Sequence, residues 1–375
     1  MKKLGILGGG QLGRMLLQAA ANYPVETHVL ESDLNCPAAN LCHHFHTGDI
    51  RAYDSVLAFG RQVDVLTIEI EQVNVEALEQ LDREGKQVIP HPSVLRIIQN
   101  KIRQKEFYQT NGIPTAPFVI TQNQTELTQH LDWLPAVHKL GLGGYDGRGV
   151  VVLNNESDLP KAFSAPSVLE QKIDIRQEIA ILVAVDQQLR STCYPAVEMR
   201  FDQKLNLLDY QICPASIKTK IEIEAIGLAN QVVAAFGSPG LFAVELFVDA
   251  SERVWINEIA PRVHNSGHHT IEAHFSSQFD MLCRIMLGYP LGNPDRILPS
   301  AMINLVGADG SSGPAVYEGL EQALAMPHAF VHIYGKRITK PGRKMGHITL
   351  LHADAEILKR DAERIKERVR VVASK

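Results

Sequence analysis

The sequence predicts a chain of mixed class, with an α/β segment at the N-terminus and an α+β segment after it. Near the N-terminus, short apolar runs alternate with glycine turns and helix-like stretches, which is typical of a parallel sheet covered on both faces. From residue 166 onward the predicted strands are longer and often alternate in polarity, which indicates a largely antiparallel sheet. The length of 375 residues suits two or three domains.

Charge and composition argue against several classes of protein. The formal net charge is −5, whereas a non-specific nucleic-acid binder needs a basic surface. No apolar run approaches the ~20 residues that a transmembrane helix needs, so we expect no membrane association. Five scattered cysteines without a C-x-x-C pair favour reduced thiols in a cytoplasmic protein.

The first domain is predicted to span residues 1–95. Its strands are short and apolar, and its first helix opens directly after a glycine turn, which is the order of a parallel α/β unit. The predicted elements are a strand at 3–8, a helix at 14–22, and strands at 27–31, 63–71 and 88–89.

The second domain is predicted to span residues 96–165, and the third residues 166–375. A linker helix at 96–112 ends at Gly112, because Pro114 and Pro117 follow, and a small β-rich unit occupies 116–165. The main elements predicted for the third domain are strands at 167–173, 178–185, 241–248 and 254–259 and helices at 222–236 and 276–287.

Gly8-x-Gly10-x-x-Gly13 is the first motif that suggests a ligand. It follows a strand and opens a helix, and Glu31 ends the next strand, so it satisfies the dinucleotide fingerprint. Backbone N–H groups at such a turn form an anion site. The motif alone leaves three alternatives open: a nicotinamide cofactor, another phosphate ligand, or a purely structural turn.

The second motif is the sequence GGYDGRG at 143–149, preceded by Lys139. Four glycines in seven residues allow the backbone to approach phosphates closely, and the lysine and Arg148 supply positive charge. The alternative is a flexible surface hairpin.

The third motif is a pair of carboxylates on two consecutive predicted strands. A symmetric hairpin between them places Glu245 opposite Glu258, with Cβ atoms ~4.5–5.5 Å apart. Two carboxylates at that separation repel, so we expect a cation such as Mg²⁺, held jointly with nucleotide phosphates. The alternative is that one glutamate faces solvent or that a bulge breaks the register.

Loops rich in polar residues form the remaining candidates. The loop at 260–270 offers Arg262, His264, Asn265 and Ser266 as donors to an anion. Its histidines suggest zinc, but no nearby acid or cysteine completes a ligand set, so we discount that metal. We also favour a polar loop over a metal site at 42–46, a solvated turn at 341–344, and an exposed strand face for Glu69 and Glu71.

Together these motifs resemble the ATP-grasp superfamily, and closely its N5-carboxyaminoimidazole ribonucleotide synthetase family of purine biosynthesis. The resemblance covers most of the chain. It rests on GGGQLGRM at 8–15, NKIRQK at 100–105, GGYDGRG at 143–149, VLEQKI at 168–173, INEIAPRVHNSGH at 256–268 and PGRKMGH at 341–347. It implies a Rossmann-like pre-ATP-grasp domain, a small lid domain and a C-terminal, mainly antiparallel ATP-grasp domain, and a homodimer.

The resemblance implies an ATP site with Mg²⁺. Lys101 and Lys139 are implied to contact the phosphates under the 143–149 loop, Glu170 to Ile173 the adenine, and Glu178 the ribose. The implied nucleotide contacts are Lys101, Lys139, Gly143, Gly144, Tyr145, Asp146, Gly147, Arg148, Gly149, Glu170, Gln171, Lys172, Ile173, Glu178, Asn257 and Glu258, and the implied Mg²⁺ ligands are Glu245 and Glu258.

The resemblance also implies a site for 5-aminoimidazole ribonucleotide. One of Glu69 and Glu71 is implied to contact this substrate, and we favour Glu71. The other implied contacts are Gln11, Leu12, Tyr145, Arg148, Arg262, His264, Asn265, Ser266, Lys336 and Arg343. Ile70-Glu71-Gln72 replaces the frequent Phe-Glu-Asn, and 197–201 lacks a histidine that many members have, so no site is assigned there.

The implied reaction carboxylates 5-aminoimidazole ribonucleotide with ATP and bicarbonate through carboxyphosphate. Lys139 and Arg262 are implied to take part in catalysis, and Asp146 to orient the amine or accept its proton. The alternatives are a sibling ATP-grasp ligase such as a formate-using transformylase, an NAD-dependent oxidoreductase, and a non-catalytic nucleotide sensor.

Overall fold

The first part of the chain alternates strands and helices in the computed structural model, which describes residues 1–144, 149–202 and 207–374. The strands are β1 (Lys2–Leu7), β2 (Val25–Glu31), β3 (His44–Thr47), β4 (Val65–Ile68) and β5 (Gln87–Ile89). The helices are α1 (Gln11–Ala20), α2 (Tyr53–Gly60), α3 (Val75–Arg83), α4 (Pro92–Ile98) and α5 (Lys101–Thr110).

These five strands form one parallel sheet in the order β3-β2-β1-β4-β5, which confirms the predicted α/β class. The edge strand β3 was predicted as a polar loop, because its histidines carry no alternating apolar pattern. Strand β4 ends at Ile68, so the predicted exposed strand face at Glu69 and Glu71 is wrong. Both glutamates lie in the turn after the strand.

Two helices replace the single linker helix predicted at 96–112. Asn100 interrupts them with an extended backbone, and its side chain accepts hydrogen bonds from the N–H groups of Ile102 and Arg103. This is an N-terminal cap, which satisfies donors that the helix leaves free. Its consequence is that Lys101 becomes the first residue of α5.

A four-stranded sheet follows, in the order β6-β9-β7-β8. Its strands are β6 (Phe118–Thr121), β7 (Ala136–Leu140), β8 (Val150–Leu153) and β9 (Ser167–Gln171), with 3-10 helices at Gln124–Trp133 and Glu156–Lys161. The strand predicted at 167–173 therefore pairs with β6 and β7 and not within the larger sheet. The glycine-rich segment joins β7 to β8.

The rest of the chain holds the longest strands. The strands are β10 (Ile175–Val185), β11 (Ser191–Cys193), β12 (Val197–Asp202), β13 (Leu207–Cys213), β14 (Gly240–Asp249), β15 (Val254–Ala260), β16 (Ser300–Val306), β17 (Gly313–Glu318), β18 (Ala329–Ile333), β19 (Ile338–Thr339), β20 (Lys344–Leu351) and β21 (Arg370–Ala373). The helices are α6 (Thr219–Phe236), α7 (Thr270–Ala273), α8 (Gln278–Leu287), α9 (Leu320–Leu324) and α10 (Ala355–Arg368), with a 3-10 turn at Asn265–Gly267.

Nine of these strands form one antiparallel sheet, as predicted. Its order is β15-β14-β10-β12-β13-β16-β20-β18, with β11 paired to β10, while β19, β17 and β21 form a separate small sheet. Helix α6 packs its apolar face on β10 and β14, and α8 packs against α1 through Leu16, Leu282 and neighbouring apolar residues. The second contact fixes the first glycine turn relative to the larger sheet.

Among the described residues, no helix combines the length and the apolar character that crossing a membrane requires.

Candidate active site

A cleft of about 490 Å³ opens between the four-stranded and the nine-stranded sheet. The turn after β4 and the loop after β15 also contribute to its walls. The residues predicted from the sequence that line this cleft are Glu71, Lys101, Lys139, Gly143, Gly144, Glu170, Gln171, Lys172, Ile173, Glu178, Glu245, Asn257, Glu258, Arg262, His264 and Asn265. The fold thus brings together residues that lie far apart in the sequence.

The two glutamates of the β14–β15 hairpin lie opposite one another, as predicted. Glu245 pairs with Glu258, and immediately beyond this pair the register shifts by one residue. The extra residue is Asn257, which forms a β-bulge, and pairing resumes at Ile256. Asn257 and Glu258 both line the cleft, whereas Ile256 and Ile259 stay in the core beneath the sheet. The bulge therefore aims the second carboxylate at the first.

The two carboxylates differ in protonation, because among the described residues Glu258 forms an ion pair with a lysine and Glu245 does not. Burial and repulsion from Glu258 raise the pKa of Glu245 to about 8. The side chain of Glu258 is half exposed, and its ion pair with Lys101 lowers its pKa against a partial loss of solvation in the cleft. Nε2 of His264 lies 3.6 Å from Oε1 of Glu245, and burial holds the pKa of this histidine well below its usual value. A divalent cation bound by oxygen ligands would relieve this repulsion.

Lysines and carboxylates alternate across the cleft. Nζ of Lys101 lies 2.9 Å from Oε2 of Glu258. Nζ of Lys139, from the four-stranded sheet, lies 2.9 Å from Oε2 of Glu170 and 3.1 Å from Oδ1 of Asn257 on the other wall. These contacts link the two walls of the cleft and hold two ammonium groups where phosphate charge can be neutralised.

Lys105 belongs to the same cluster, although the sequence reasoning missed it. Its Nζ lies 3.1 Å from Oε1 of Glu170, which therefore binds a lysine at each oxygen. Burial lowers the pKa of Lys105 to about 8, against the opposing effect of Glu170. Lys101 and Lys105 are four positions apart and therefore share one face of α5. This spacing is the feature of the sequence from which Lys105 could have been predicted.

Apolar side chains form another part of the cleft that the sequence reasoning did not identify. Val137 and Val150 come from the four-stranded sheet, and Met199, Leu208 and Phe247 from the nine-stranded sheet. An apolar slot between two sheets suits a flat aromatic base. The sequence carries no signal for it, because apolar residues at strand positions look the same whether they line a cleft or fill a core.

The first glycine turn is occupied by carboxylates of the chain itself. The N–H of Gly13 donates to Oε2 of Glu69 at 2.7 Å, the backbone of Gly10 also bonds this carboxylate, and the N–H of Gly9 donates to Glu31 at 3.1 Å. A Cβ on Gly10 would lie 2.4 Å from Oε1 of Glu69, so the turn needs glycine to admit the carboxylate. A dinucleotide pyrophosphate would compete with Glu69 for these N–H groups.

Glu71 faces the cleft, in contrast to Glu69. Its Oε1 lies 2.8 Å from the guanidinium of Arg262, which extends from the loop after β15. Arg262 and Lys336 both act electrostatically on Glu69, so these two cations lie near the start of α1, where the N–H groups of Gln11 and Leu12 are located. The positions of the two glutamates support the choice of Glu71 as the substrate contact.

The loop after Arg262 presents an unsatisfied amide to the cleft. Asn265 is buried, and within the described residues neither its Nδ2 nor its Oδ1 has a hydrogen-bond partner. Ser266 does not line the cleft, and its Oγ is 2.9 Å from Nδ1 of His264, which it orients. A buried amide without a partner is costly, so Asn265 is a strong candidate for a ligand contact.

The late basic residues divide between the cleft and its surroundings. Lys344 lines the cleft although it was not predicted, whereas Lys336 and Arg343 do not line it. Lys336 donates to the carbonyl of Lys344 at 2.8 Å, and Arg343 donates to the carbonyl of Ile338 at 2.7 Å. Lys336 therefore supports the segment that carries Lys344.

The glycine-rich loop is described only at its ends. Gly143 and Gly149 adopt φ values of 83° and 79°, and the carbonyl of Gly149 accepts a hydrogen bond from Leu140 that closes the hairpin. Tyr145, Asp146, Gly147 and Arg148 lie outside the described residues.

Three protein domain families match consecutive parts of the chain. They are a ribonucleotide synthetase preATP-grasp domain at residues 1–99, an ATP-grasp domain at 106–279 and a phosphoribosylaminoimidazole carboxylase C-terminal domain at 300–361.

Individual relatives match most of the chain. It is 32% identical over 367 residues to N5-carboxyaminoimidazole ribonucleotide synthase of Staphylococcus aureus strain COL, covering 96% of this chain and 95% of that protein. It is 36% identical to the chloroplastic phosphoribosylaminoimidazole carboxylase of Vigna aconitifolia, covering 93% of this chain but 64% of that protein, so it spans about two thirds of that longer relative.

Solved structures match equally well. The structure of N5-carboxyaminoimidazole ribonucleotide synthetase from Thermotoga maritima has a TM-score of 0.93 and 36% identity, with 100% of both chains covered. An Aspergillus clavatus synthase solved with ADP and 5-aminoimidazole ribonucleotide has a TM-score of 0.89 and 32% identity, with 98% of both chains covered.

Replacement of Lys105 by methionine should change how stability depends on pH. In the wild type the folded-state pKa of about 8 lies below the usual value of 10.5, so the unfolded chain binds more protons between these values. The wild type should therefore gain unfolding free energy relative to Lys105→Met as pH rises from about 8 towards 10.5. Equilibrium denaturation of both proteins across this range measures the difference.

Lys220→Met, at an exposed position of α6, serves as the control, because it removes a lysine from the surface without removing a buried charge. A constant difference between wild type and Lys105→Met across the range contradicts the prediction.

Proposed function

Because the chain belongs to the N5-carboxyaminoimidazole ribonucleotide synthetase family of the ATP-grasp superfamily, we propose that it catalyses ATP + bicarbonate + 5-aminoimidazole ribonucleotide → ADP + phosphate + N5-carboxyaminoimidazole ribonucleotide. The observation that carries the proposal is one cleft with two kinds of lining. One part combines lysines, paired glutamates and an apolar slot, and the other combines Arg262, Glu71 and Asn265.

The nucleotide part suits ATP. The apolar slot accepts the adenine beside Glu170 and the 171–173 segment, and Glu178, which lies near Glu245, is placed for the ribose. Lys101 and Lys139 meet the phosphates. Phosphoryl transfer needs mainly positioning and charge neutralisation, which these cations supply. The γ-phosphoryl group moves to a bicarbonate oxygen and gives carboxyphosphate, because bicarbonate itself lacks a good leaving group.

The paired carboxylates fit Mg²⁺. Both present oxygen ligands to the cleft, and the raised pKa of Glu245 reflects a negative charge without a sufficient counter-charge. We propose Glu245 and Glu258 as its ligands, where it would neutralise phosphate charge during transfer. In this proposal Asn257 lies beside the nucleotide, because its Oδ1 accepts a hydrogen bond from Lys139, which binds the phosphates.

The ribonucleotide part holds the second substrate. We propose that Arg262, His264, Asn265 and Ser266 with Glu71 bind its ribose and phosphate. The start of α1 at Gln11 and Leu12, Lys336 and Arg343 complete that side. The neutral ring of His264 and the unsatisfied amide of Asn265 support contacts with hydroxyl groups more than with phosphate charge.

The glycine-rich loop acts as a lid in this proposal. Carboxyphosphate hydrolyses readily, so water must be excluded while the amine attacks. Tyr145 and Arg148 would contact the ribonucleotide, and Asp146 would aim the amine or accept its proton.

The proposal also covers the domain boundaries, the oligomeric state and the cellular location of the protein. The predicted boundary at 165/166 falls before β9, which belongs to the four-stranded sheet, so we propose division into residues 1–95, 96–171 and 172–375. We also propose a homodimer, a cytoplasmic location and a place in purine biosynthesis. The test of function is ADP release with bicarbonate, with and without 5-aminoimidazole ribonucleotide, together with detection of carboxylated product. Formate replacing bicarbonate as the required substrate would favour a transformylase, and nucleotide binding without turnover would favour a sensor.

Glu258→Gln should abolish turnover while leaving the fold intact, because it removes charge but hardly changes shape. We expect a loss of kcat of at least about 10²-fold, as is typical when a transition-state charge stabiliser is removed. Glu245→Gln should act in the same way, and the two effects should be far from additive. Steady-state rates across a Mg²⁺ titration measure this.

Glu356→Gln, on the exposed face of α10, is the control and should keep normal activity. Near-normal activity of Glu258→Gln at ordinary Mg²⁺ concentration would overturn the metal assignment.

Lys139→Ala and Arg262→Ala should separate the two substrates. Lys139 meets the nucleotide, so its loss should weaken ATP binding, whereas loss of Arg262 should mainly weaken ribonucleotide binding. Each charged hydrogen bond contributes about 1.5–3 kcal/mol, so the affected ligand should lose about 10- to 150-fold in affinity. Calorimetric titration of each ligand against each variant gives the constants. Equal losses for both ligands in both variants would mean that the sites are assigned incorrectly.

Asp146→Asn should uncouple the two halves of the reaction. Carboxyphosphate forms without an amine base, so ADP should still appear while carboxylated product falls further. If Asp146 only shapes its turn, as aspartate often does beside glycine, both products should fall together. Quantifying ADP and carboxylated product in one reaction decides between them, and a ratio of one to one would refute the base role.

A further inference from the structure

A cysteine and two histidines meet inside the protein, away from the cleft. Cys213 is the last residue of β13, and His269 and His274 flank the short helix α7. Their exposed fractions are 1%, 1% and 3%, and none of them lines the cleft. One nitrogen or sulfur atom from each lies within 4.8 Å of the others. Sequence reasoning dismissed zinc beside this histidine run because no nearby cysteine completed a ligand set, and the fold supplies one from β13.

The tautomer of His274 favours a ligand. Its Nδ1 lies 2.7 Å from the carbonyl oxygen of Pro294, which can only accept a hydrogen bond, so Nδ1 carries the proton. The lone pair is then on Nε2, which lies 3.9 Å from Sγ of Cys213. Histidines that bind metals commonly donate their other N–H to a carbonyl in this way.

His269 presents a second nitrogen that needs a partner. Nε2 of Gln211 lies 2.9 Å from its Nδ1 and donates to the carbonyl oxygen of Ser266 at 2.8 Å. The zinc-binding tautomer is the one in which Nδ1 carries the proton and donates to that same carbonyl, which leaves the lone pair on Nε2. Nε2 is buried and, in the part of the chain that the structure describes, has no hydrogen-bond partner. The hydroxyl of Ser300 likewise has no partner among the described residues. Ser300 is the residue of β16 that lies directly opposite Cys213 of β13. Orphaned buried atoms in one place require an explanation.

A metal ion explains them better than a hydrogen bond between the cysteine and His274 alone, because that bond leaves Nε2 of His269 unpaired. A thiolate and two imidazoles are the donors that Zn²⁺ prefers, in contrast to Mg²⁺. Tetrahedral Zn²⁺ at ~2.3 Å from sulfur and ~2.0 Å from nitrogen places its ligand atoms about 3.3–3.6 Å apart. Sγ of Cys213 and Nε2 of His274 are 3.9 Å apart, and all three ligand atoms lie within 4.8 Å of one another, so binding would draw them together.

We propose that Cys213, His269 and His274 form a structural zinc site, whose fourth position faces Ser300. Binding breaks the S–H bond of the cysteine, forms a zinc–sulfur bond and releases the proton to solvent. Burial raises the pKa of this thiol to about 12, so without zinc it stays protonated. The site joins β13 to the segment directly after the loop of Asn265 and Ser266.

The test is the metal content of the purified full chain after expression with zinc and desalting. We expect about one zinc ion per chain in the wild type and less than about a tenth of that in Cys213→Ser and His274→Asn. Reconstitution with Co²⁺ should give thiolate-to-metal absorption in the wild type, and Cys213→Ser should lack it.

Two controls separate this site from other ligands. Cys193→Ser removes another thiol, and His44→Asn breaks the surface group of Glu26, His28 and His44, which also has metal-ligating atoms close together. Both variants should keep their zinc. The proposal is overturned if Cys213→Ser retains its zinc or if His44→Asn loses it. It is also overturned if the wild type neither retains zinc nor takes it up.

A measurement on the wild type alone covers the case in which the cysteine variant does not fold. Its thermal unfolding midpoint should fall after zinc is removed with a chelator and recover when Zn²⁺ is restored. Mg²⁺ at the same concentration should not restore it. A midpoint that is insensitive to zinc removal overturns the proposal.

Discussion

Repulsion between two carboxylates is the constraint on which the cleft depends. The β14–β15 hairpin holds Glu245 and Glu258 opposite one another, with Glu245 largely buried and Glu258 half exposed to the cleft. Lys101 compensates one of them, and Lys139 reaches from the other wall to Asn257 and Glu170. In the function proposed above, entry of a nucleotide and a cation would exchange these ion-pair partners.

The N-terminal segment shows how one motif serves a different purpose from the one its pattern suggests. The glycine turn, strand and acidic residue satisfy a dinucleotide fingerprint, yet Glu69 and Glu31 occupy its N–H groups. The glycines are needed because a carboxylate packs against them. Arg262 and Lys336 lie near that carboxylate, so the corner in which a dinucleotide would compete with Glu69 also holds positive charge, and we propose that this charge serves the phosphate of the ribonucleotide.

The periodicity of apolar residues and the order of the predicted elements made much of the fold predictable from the sequence. The parallel sheet and the long antiparallel strands follow from apolar patterns of period two. The Glu245–Glu258 pair was predicted from a symmetric hairpin, but the strands next to the turn pair one residue out of that register, and the bulge at Asn257 restores it. The cap at Asn100 that begins α5 and the turn position of Glu69 were missed, because each depends on the hydrogen bonds of one side chain, which no repeating pattern marks.

The bulge at Asn257 makes the length of β15 as important as its composition. Val254, Ile256 and Ile259 all enter the core, so the spacing between buried positions changes from two residues to three at the bulge. Removal of Asn257 would restore strict alternation and leave Glu258 on the cleft side and Ile259 in the core, but it would take away the amide that Lys139 contacts. Removal of both Asn257 and Glu258 would instead turn Ile259 towards the cleft. The bulge therefore lets two consecutive side chains of one strand serve the same site, which a regular strand with alternating faces does not allow.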